Sequence, residues 1–563
     1  MGQPYLKSSI LASGGYSKGL ASHPRRRSAQ VCAAILALAI LRTTAASPGL
    51  ALIKVDQLKE WLSYIASDQL EGRGNYSAGL GLAAAYIQDH LRAWKVTPAG
   101  DDRSYLQTVR VRSVAAESRS TVTVQVGRET RTFRDGEGVT FSREAGGKRR
   151  FVTDRVEFVG YGLDADLRGK DVGGAVVIWL GSSGPMGFDA QGLHRVLTGR
   201  SRHVLEDLHA AAAIAPDEAP GAGRTAAAGG PTPDFVTADR LDRPVPPALT
   251  VDEAFLALLF RNSPTGYEEL RRRAQAREPL PSFRLEDVKV TFNIDVEYEV
   301  IRTQLTHNVV GVVEGADPAL KDTYVAFGAH YDHLGYAEGE AVQNGTRPGP
   351  LYGRVTAGAD DDRIWNGADD DGSGTVALMA LARAFAEGPR PKRSLLFVWH
   401  AGEELGTYGS RYFADYSTVP VDRIVAQLNI DMIGRNRDDK PGEANTVYLV
   451  GSDRISSELH SINRAANLAL DPPMTLDYQM NSPSDPEQIY YRSDHYSYAV
   501  KGIPVIFFTT GLHPDYHTNT DEISRILFDK MLRVTQLVYE TGIRLADLDH
   551  VPARDNRGPR AVN

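Results

Sequence analysis

Apolar residues between Val55 and Ile65 recur at three- and four-residue steps (Val55, Leu58, Trp61, Leu62, Ile65), which predicts a helix with one buried face. A second helix is predicted near Ala78–Trp94, after the turn Glu71-Gly72-Arg73-Gly74. Beyond residue 115 the period shortens. Runs such as Thr121-Val122-Thr123-Val124-Gln125-Val126 and Ala175-Val176-Val177-Ile178-Trp179-Leu180 predict a β-rich unit over residues 115–292. Inside it, Ala210–Pro233 is rich in Ala, Gly and Pro and reads as a flexible surface loop. From residue 293 onward strands and helices alternate, the pattern of an α/β domain. Strands are predicted at Asn308–Glu314, Thr323–Ala329, Ser394–Trp399, Ile424–Ile430, Thr446–Val450 and Ile503–Thr509. Helices are predicted at Thr375–Glu387, Ser456–Ala466 and Ile523–Leu548. Residues 47–114 then form the first part of the α/β domain, 115–292 an insert, 293–548 the main part and 549–563 a polar tail.

Acidic and histidine residues gather at or shortly after the ends of those apolar runs. They are His330-Tyr331-Asp332, Asp369-Asp370-Asp371 before Gly372-Ser373-Gly374, Glu403-Glu404, Asn429-Ile430-Asp431-Met432 and Tyr516-His517. An open α/β sheet collects its ligand-binding groups at the carboxyl ends of its strands. Two histidines and three carboxylates converging there suit a pair of divalent, zinc-like ions, with one further carboxylate left to act as a base. Each group has a plain alternative when taken alone: a satisfied surface pair, a solvated loop, an exposed acidic turn. Asp431 has less freedom, because an aspartate closing an apolar strand needs a partner. Three adjacent aspartates repel one another unless a cation lies between them, and the glycines that follow let the backbone approach closely. Asp360-Asp361-Asp362 repeats the same residues without the glycine turn or the apolar helix, and reads as a solvated loop.

Composition narrows the class. Of 563 residues, 42% are hydrophobic and 24% charged, ordinary for a soluble globular protein of two or three domains. Arg25-Arg26-Arg27, the apolar stretch Val31–Leu41 and the small residues Thr44-Ala45-Ala46 predict a cleaved export signal over residues 1–46. That stretch is too short to cross a bilayer as a helix, so no stable membrane insertion is expected after cleavage. Removing 1–46, which holds basic but no acidic residues, makes the remaining chain more acidic than the formal charge of −8. No basic stripe remains to neutralise phosphates, so no nucleic-acid partner is expected. Cys32, the single cysteine, lies within the signal, which excludes disulfides and thiol catalysis in the mature chain.

The ordered set of motifs resembles the co-catalytic zinc aminopeptidase family, which also contains the glutamate carboxypeptidases. The resemblance extends to Ser67-Asp68-Gln69-Leu70-Glu71-Gly72-Arg73 and Arg492-Ser493-Asp494-His495, and covers roughly residues 55–110 and 290–545. It implies a three-layer catalytic domain with a central, mostly parallel mixed sheet. Residues 115–292 look like the protease-associated insert of that family, on the strength of Val156-Glu157-Phe158-Val159-Gly160-Tyr161-Gly162 and Lys170-Asp171-Val172-Gly173-Gly174-Ala175-Val176-Val177.

Residue by residue, the resemblance implies that Asp370 bridges two Zn(2+) ions. His330 and Asp431 would complete one set of ligands, Glu404 and His517 the other. Glu403 would be the general base, Asp332 would orient His330, and Tyr516 would hydrogen-bond the oxyanion. His495 is not an expected ligand; core packing and a supporting role at the site both remain open. The stretch between His330 and Asp370, including Gly345–Gly353, reads as a loop over the site. The expectation is an exported di-zinc aminopeptidase acting on peptides. A carboxypeptidase or dipeptidase would need an arginine for the terminal carboxylate, with Arg435, Arg437 and Arg492 available; a receptor-like binding protein would need a dead site. Oligomeric state is not readable from the sequence.

Overall fold

Strands that are apolar on both faces need cover on both sides, and this requirement organises the α/β part of the chain. The computed structural model describes residues 47–217, 233–237, 241, 243–337, 353–359 and 361–556. The expected export segment 1–46 with Cys32 lies outside the described residues, as do residues 218–232, most of the loop expected at Ala210–Pro233, and residues 338–352, part of the loop expected between His330 and Asp370.

The central strands are β1 (Val296–Val313), β2 (Tyr324–His330), β3 (Ser394–His400), β4 (Ile424–Ile430), β5 (Thr446–Val450) and β6 (Val505–Thr509). They lie side by side in the order β1-β3-β2-β4-β6-β5. The helices are α1 (Val55–Ile65), α2 (Ala78–Ala93), α3 (Gly374–Glu387), α4 (Tyr408–Asp415), α5 (Ser457–Asn467), α6 (His495–Ala499) and α7 (Phe528–Ala546). Val325, Phe327 and Ala329 of β2 belong to one core with α1, α3 and α7, whereas Ala326 belongs to the core on the other face with Phe413 and Tyr498. That alternation makes three layers, helix–sheet–helix.

The sheet is parallel at its centre and again at one edge, where Thr475–Asp477 pairs parallel with β5. β3, β2, β4 and β6 run parallel, while β1 and β5 pair antiparallel on either side. Leu106–Ser118 adds antiparallel to β1, and the backbone of Pro233–Thr237 adds antiparallel to Leu106–Ser118. The sheet is thus mixed, as expected, but its antiparallel pairings are as prominent as its parallel ones.

The expected insert borders at 115 and 292 fall inside strands. Leu106–Ser118 continues past 115 on the catalytic sheet, and Val288–Ile294 closes the insert's own sheet. β1 is also much longer than the predicted Asn308–Glu314. Most residues between Glu297 and Leu305 are exposed, and the alternation Val296-Glu297-Tyr298-Glu299-Val300 breaks at Ile301, where the strand's register shifts, so the sequence shows this half only in part. Between these borders stands a second ten-stranded sheet with its own core around Val122, Phe158, Ile178, Phe255 and Phe292.

The expected tail is docked as far as it is described. Ser457 N–H donates to Asp555 Oδ1 (2.9 Å) and Asn556 N–H to the Ile455 carbonyl (3.1 Å). A carboxylate at the start of α5 is favoured by the helix dipole. None of the described helices is long and apolar enough to cross a membrane.

Candidate metal centre

Four parallel strands end at the same edge of the sheet, and the predicted groups meet there. His330 closes β2, Glu403 and Glu404 follow β3, Asp431 follows β4, and His517 sits in the loop after β6. Asp370 stands in the turn Ala368–Ser373 that leads into α3. His330 Nε2 lies 3.2 Å from Asp370 Oδ1 and 3.8 Å from Asp431 Oδ1. His517 Nε2 lies 3.0 Å from Asp370 Oδ2 and 3.3 Å from Glu404 Oε2. Asp370 therefore faces one group with each oxygen.

The donor chemistry fits a pair of divalent metals. Ligand atoms about 2.0–2.1 Å from a tetrahedral metal are roughly 3.3 Å apart, the spacing seen here. Asp370 Oδ2 is buried without a hydrogen-bond partner. Burial works to lower the His517 pKa, yet the Glu404 and Asp370 carboxylates raise it to about 10. Burial likewise favours a neutral Glu404, but His517 holds it down at about 2. The pocket thus favours positive charge at this point, which a divalent cation supplies.

The three neighbouring aspartates have different tasks. The Asp371 carboxylate accepts main-chain N–H groups from His330 (3.2 Å), Gly374 (2.9 Å) and Met432 (3.1 Å). His330, Asp371 and Asp431 also cluster closely enough to hold an ion. Asp371 is already satisfied by those three donors. Asp369 accepts from Gly434 N–H (2.6 Å) and faces His513 Nε2 (3.3 Å). Asp361, in the comparison triplet, is exposed.

The Asp332 carboxylate is turned mainly to the Glu403–Glu404 turn. It accepts from Glu403 N–H (3.2 Å), Glu404 N–H (3.4 Å) and Asn75 Nδ2 (2.6 Å). His330 Nδ1 lies 3.1 Å from the Asp332 main-chain carbonyl and 3.6 Å from its carboxylate. Glu403 is half-buried. Burial pushes its pKa well above the usual value, with His330 opposing and Glu404, Asp494 and Asp431 adding to the rise. Tyr516 stacks on His517 at 3.7 Å, and its hydroxyl accepts from Arg492 at 3.2 Å. Asp431 accepts from Ser493 Oγ at 2.7 Å. His495 is core: it stacks on Phe507 at 4.8 Å among Tyr490 and its neighbours.

Sequence reasoning missed three residues. His333 Nδ1 lies 2.9 Å from Glu404 Oε1; the repeated histidine in His330-Tyr331-Asp332-His333 was the available signal. The Asp521 carboxylate accepts the N–H groups of Asp369 (3.1 Å) and Asp370 (3.0 Å), with no local signal in the sequence. Fully buried Arg73 donates to the carbonyls of Tyr331 (3.0 Å), Ile65 (2.6 Å), Asn366 (2.6 Å) and Gly367 (2.9 Å). It ties the loop after β2 to the turn that carries Asp370.

The site opens into a cavity of about 1160 Å3. His330, Asp370, Glu403, Glu404, Asp431, Tyr516 and His517 line one side, and Glu144, Arg195, Arg202, Glu206 and His209 of the insert line the other.

Residues 308–542 match the model of Peptidase family M28. Leucine aminopeptidase 1 of Trichophyton equinum is 26% identical over 242 residues, which is 41% of this chain and 56% of the relative. The probable leucine aminopeptidase of Arthroderma benhamiae is 30% identical over 240 residues, with the same shares. The chain thus spans 56% of the length of these curated relatives. Among solved structures, the aminopeptidase from Aneurinibacillus sp. strain AM-1 is similar over 91% of this chain and 98% of its own, at 17% identity and a TM-score of 0.41. BSAP, a zinc aminopeptidase from Bacillus subtilis, is similar over 88% and 96%, at 17% identity and a TM-score of 0.42. The match to Peptidase family M28 thus falls on the segment that carries the site, residues 308–542.

Proposed function

We propose that this chain is an exported, zinc-dependent exopeptidase, an aminopeptidase that hydrolyses the N-terminal peptide bond of peptides. The observation that supports the reading is that His330 and His517 nitrogens lie 3.2 and 3.0 Å from the two oxygens of Asp370, with Asp431 and Glu404 3.8 and 3.3 Å from those same nitrogens, beside Glu403 at one wall of a cavity. His330, Asp370 and Asp431 would hold one zinc ion, and Asp370, Glu404 and His517 the other. When bound, such ions polarise a carbonyl and make water acidic enough to attack it near neutral pH.

The chain's own groups supply the rest. Glu403, whose surroundings raise its proton affinity, takes a proton from the attacking water and passes it to the departing amine. Asp332 holds the backbone of Glu403 and Glu404 so that base and ligand keep a fixed relation. Tyr516 accepts from Arg492 at its oxygen, which leaves its own O–H to donate to the oxyanion. Glu403 and Glu404 at the site edge of the cavity bring negative charge to the position a free α-amine would take.

The three arginines singled out in the sequence for a carboxypeptidase reading are engaged in the folded chain. Arg435 pairs with Asp439 and Asp515, Arg437 lies over Tyr448, and Arg492 binds Glu487 and Tyr516. The reading includes the insert as a protease-associated domain, in view of its separate sheet and core.

Hydrolysis of an aminoacyl p-nitroanilide panel beside amino-terminally blocked peptides, with and without a chelator, tests the proposal. Free-amine substrates should be cleaved, and the chelator should abolish turnover. Cleavage of blocked peptides alone would overturn the aminopeptidase reading.

A further inference from the structure

We infer that His333 is a third imidazole ligand of the metal pair, binding through Nδ1 beside Asp370, Glu404 and His517. The inference rests on the metallopeptidase reading and adds a residue to its site.

His333 Nδ1 lies 2.9 Å from Glu404 Oε1 and 3.9 Å from Asp370 Oδ2. His517 Nε2 approaches the same two carboxylates at 3.3 and 3.0 Å. Asp370, Glu404 and His333 lie close enough together to hold an ion by themselves. Nδ1 thus pairs closely with Glu404, while Nε2 has no hydrogen-bond partner. Two buried carboxylates crowded against Nδ1 of a fully buried imidazole are costly without a cation among them, and a metal held by Nδ1 and those carboxylates supplies it.

His495 provides the contrast. It too is fully buried without a side-chain hydrogen bond, but it stacks on Phe507 and meets Tyr490 edge-on, as an ordinary core ring does. His333 faces two carboxylates instead.

The ring is also held in place. Gly367, at φ 53°, lies against it so closely that a Cβ there would come within 2.5 Å of the His333 ring carbons. The His333 N–H donates to the Arg73 carbonyl at 3.1 Å, which fixes the backbone beneath the ring. With His333 included, one metal has four protein ligands and the other, at His330, Asp370 and Asp431, has three. The more open coordination position then lies on the His330 side.

X-ray absorption of the full chain loaded with zinc alone reads the imidazole count directly. Three imidazoles shared by two zinc ions are expected. His333→Ala should reduce the count to two and weaken one zinc site by at least ~10–100-fold in a chelator competition, leaving the other unchanged. Two bound zinc ions sharing only two imidazoles in the unmodified protein would overturn the inference and leave the metal pair standing. Failure to bind zinc at all would overturn both.

Discussion

Asp332 accepts the main-chain N–H of Glu403 at 3.2 Å, so the proposed base is fixed through its backbone by a residue on the neighbouring strand end. The same carboxylate takes the N–H of Glu404 at 3.4 Å. Replacing it with Ala leaves buried donors unpaired, at about 1–3 kcal/mol each. Asp332→Ala is expected to lose both turnover and zinc affinity, and Asp332→Asn to retain part of each. Steady-state rates and metal content of the two variants check this; wild-type values for Asp332→Ala would contradict it.

Arg73 joins four carbonyls from three separate segments, with no exposure to solvent. Arg73→Met removes every donor and leaves those acceptors buried. At about 1 kcal/mol or more per bond, several kcal/mol of stability should disappear. A urea titration should show a clearly lower midpoint; an unchanged midpoint would contradict the role assigned to Arg73.

His495 gives the pH dependence a sign. Burial lowers its pKa from 6.5 to about 3 in the folded chain. Below pH 6.5 the unfolded chain binds a proton that the folded chain refuses, so this residue makes stability fall as pH drops from 6.5 towards 3. The slope is roughly 1.4 kcal/mol per pH unit inside that window. His495→Phe should flatten the acid limb of a melting-temperature profile between those values, and an unaltered limb would contradict the assignment.

The insert is latched to the α/β part through Asp207. This buried carboxylate accepts from Tyr491 (2.6 Å) and Tyr496 (3.2 Å), and His203 Nδ1 lies 3.0 Å away. Hydrogen bonds to a charged group contribute about 1.5–3 kcal/mol. Tyr491→Phe should lower the calorimetric melting temperature by a corresponding amount, and no shift would show that the latch carries no energy.

The strand ends were legible because each β-run is apolar on both faces, so a polar residue just past it stands out. Ile424–Ile430 followed by Asp431 is the clearest case, and its strand matches the predicted bounds. The working triplet was separable from Asp360–Asp362 by the glycine turn and apolar helix that follow it. Asp521 and Arg73 were not legible as site residues, because their partners are main-chain groups brought close only by folding. The insert borders were missed where strands cross from one sheet to the region of the other, since alternation alone does not say which sheet a strand joins.

Glu403→Gln is the most direct test of the central claim, that a metal pair and a separate carboxylate base share this site. Gln keeps the side-chain volume and removes the proton acceptor. The variant should bind two zinc ions as the unmodified chain does, while turnover of an aminoacyl p-nitroanilide falls by roughly 10²–10⁴-fold. Retained turnover with zinc bound would contradict the assignment of the base, and absence of bound zinc in the unmodified chain would contradict the metal centre itself.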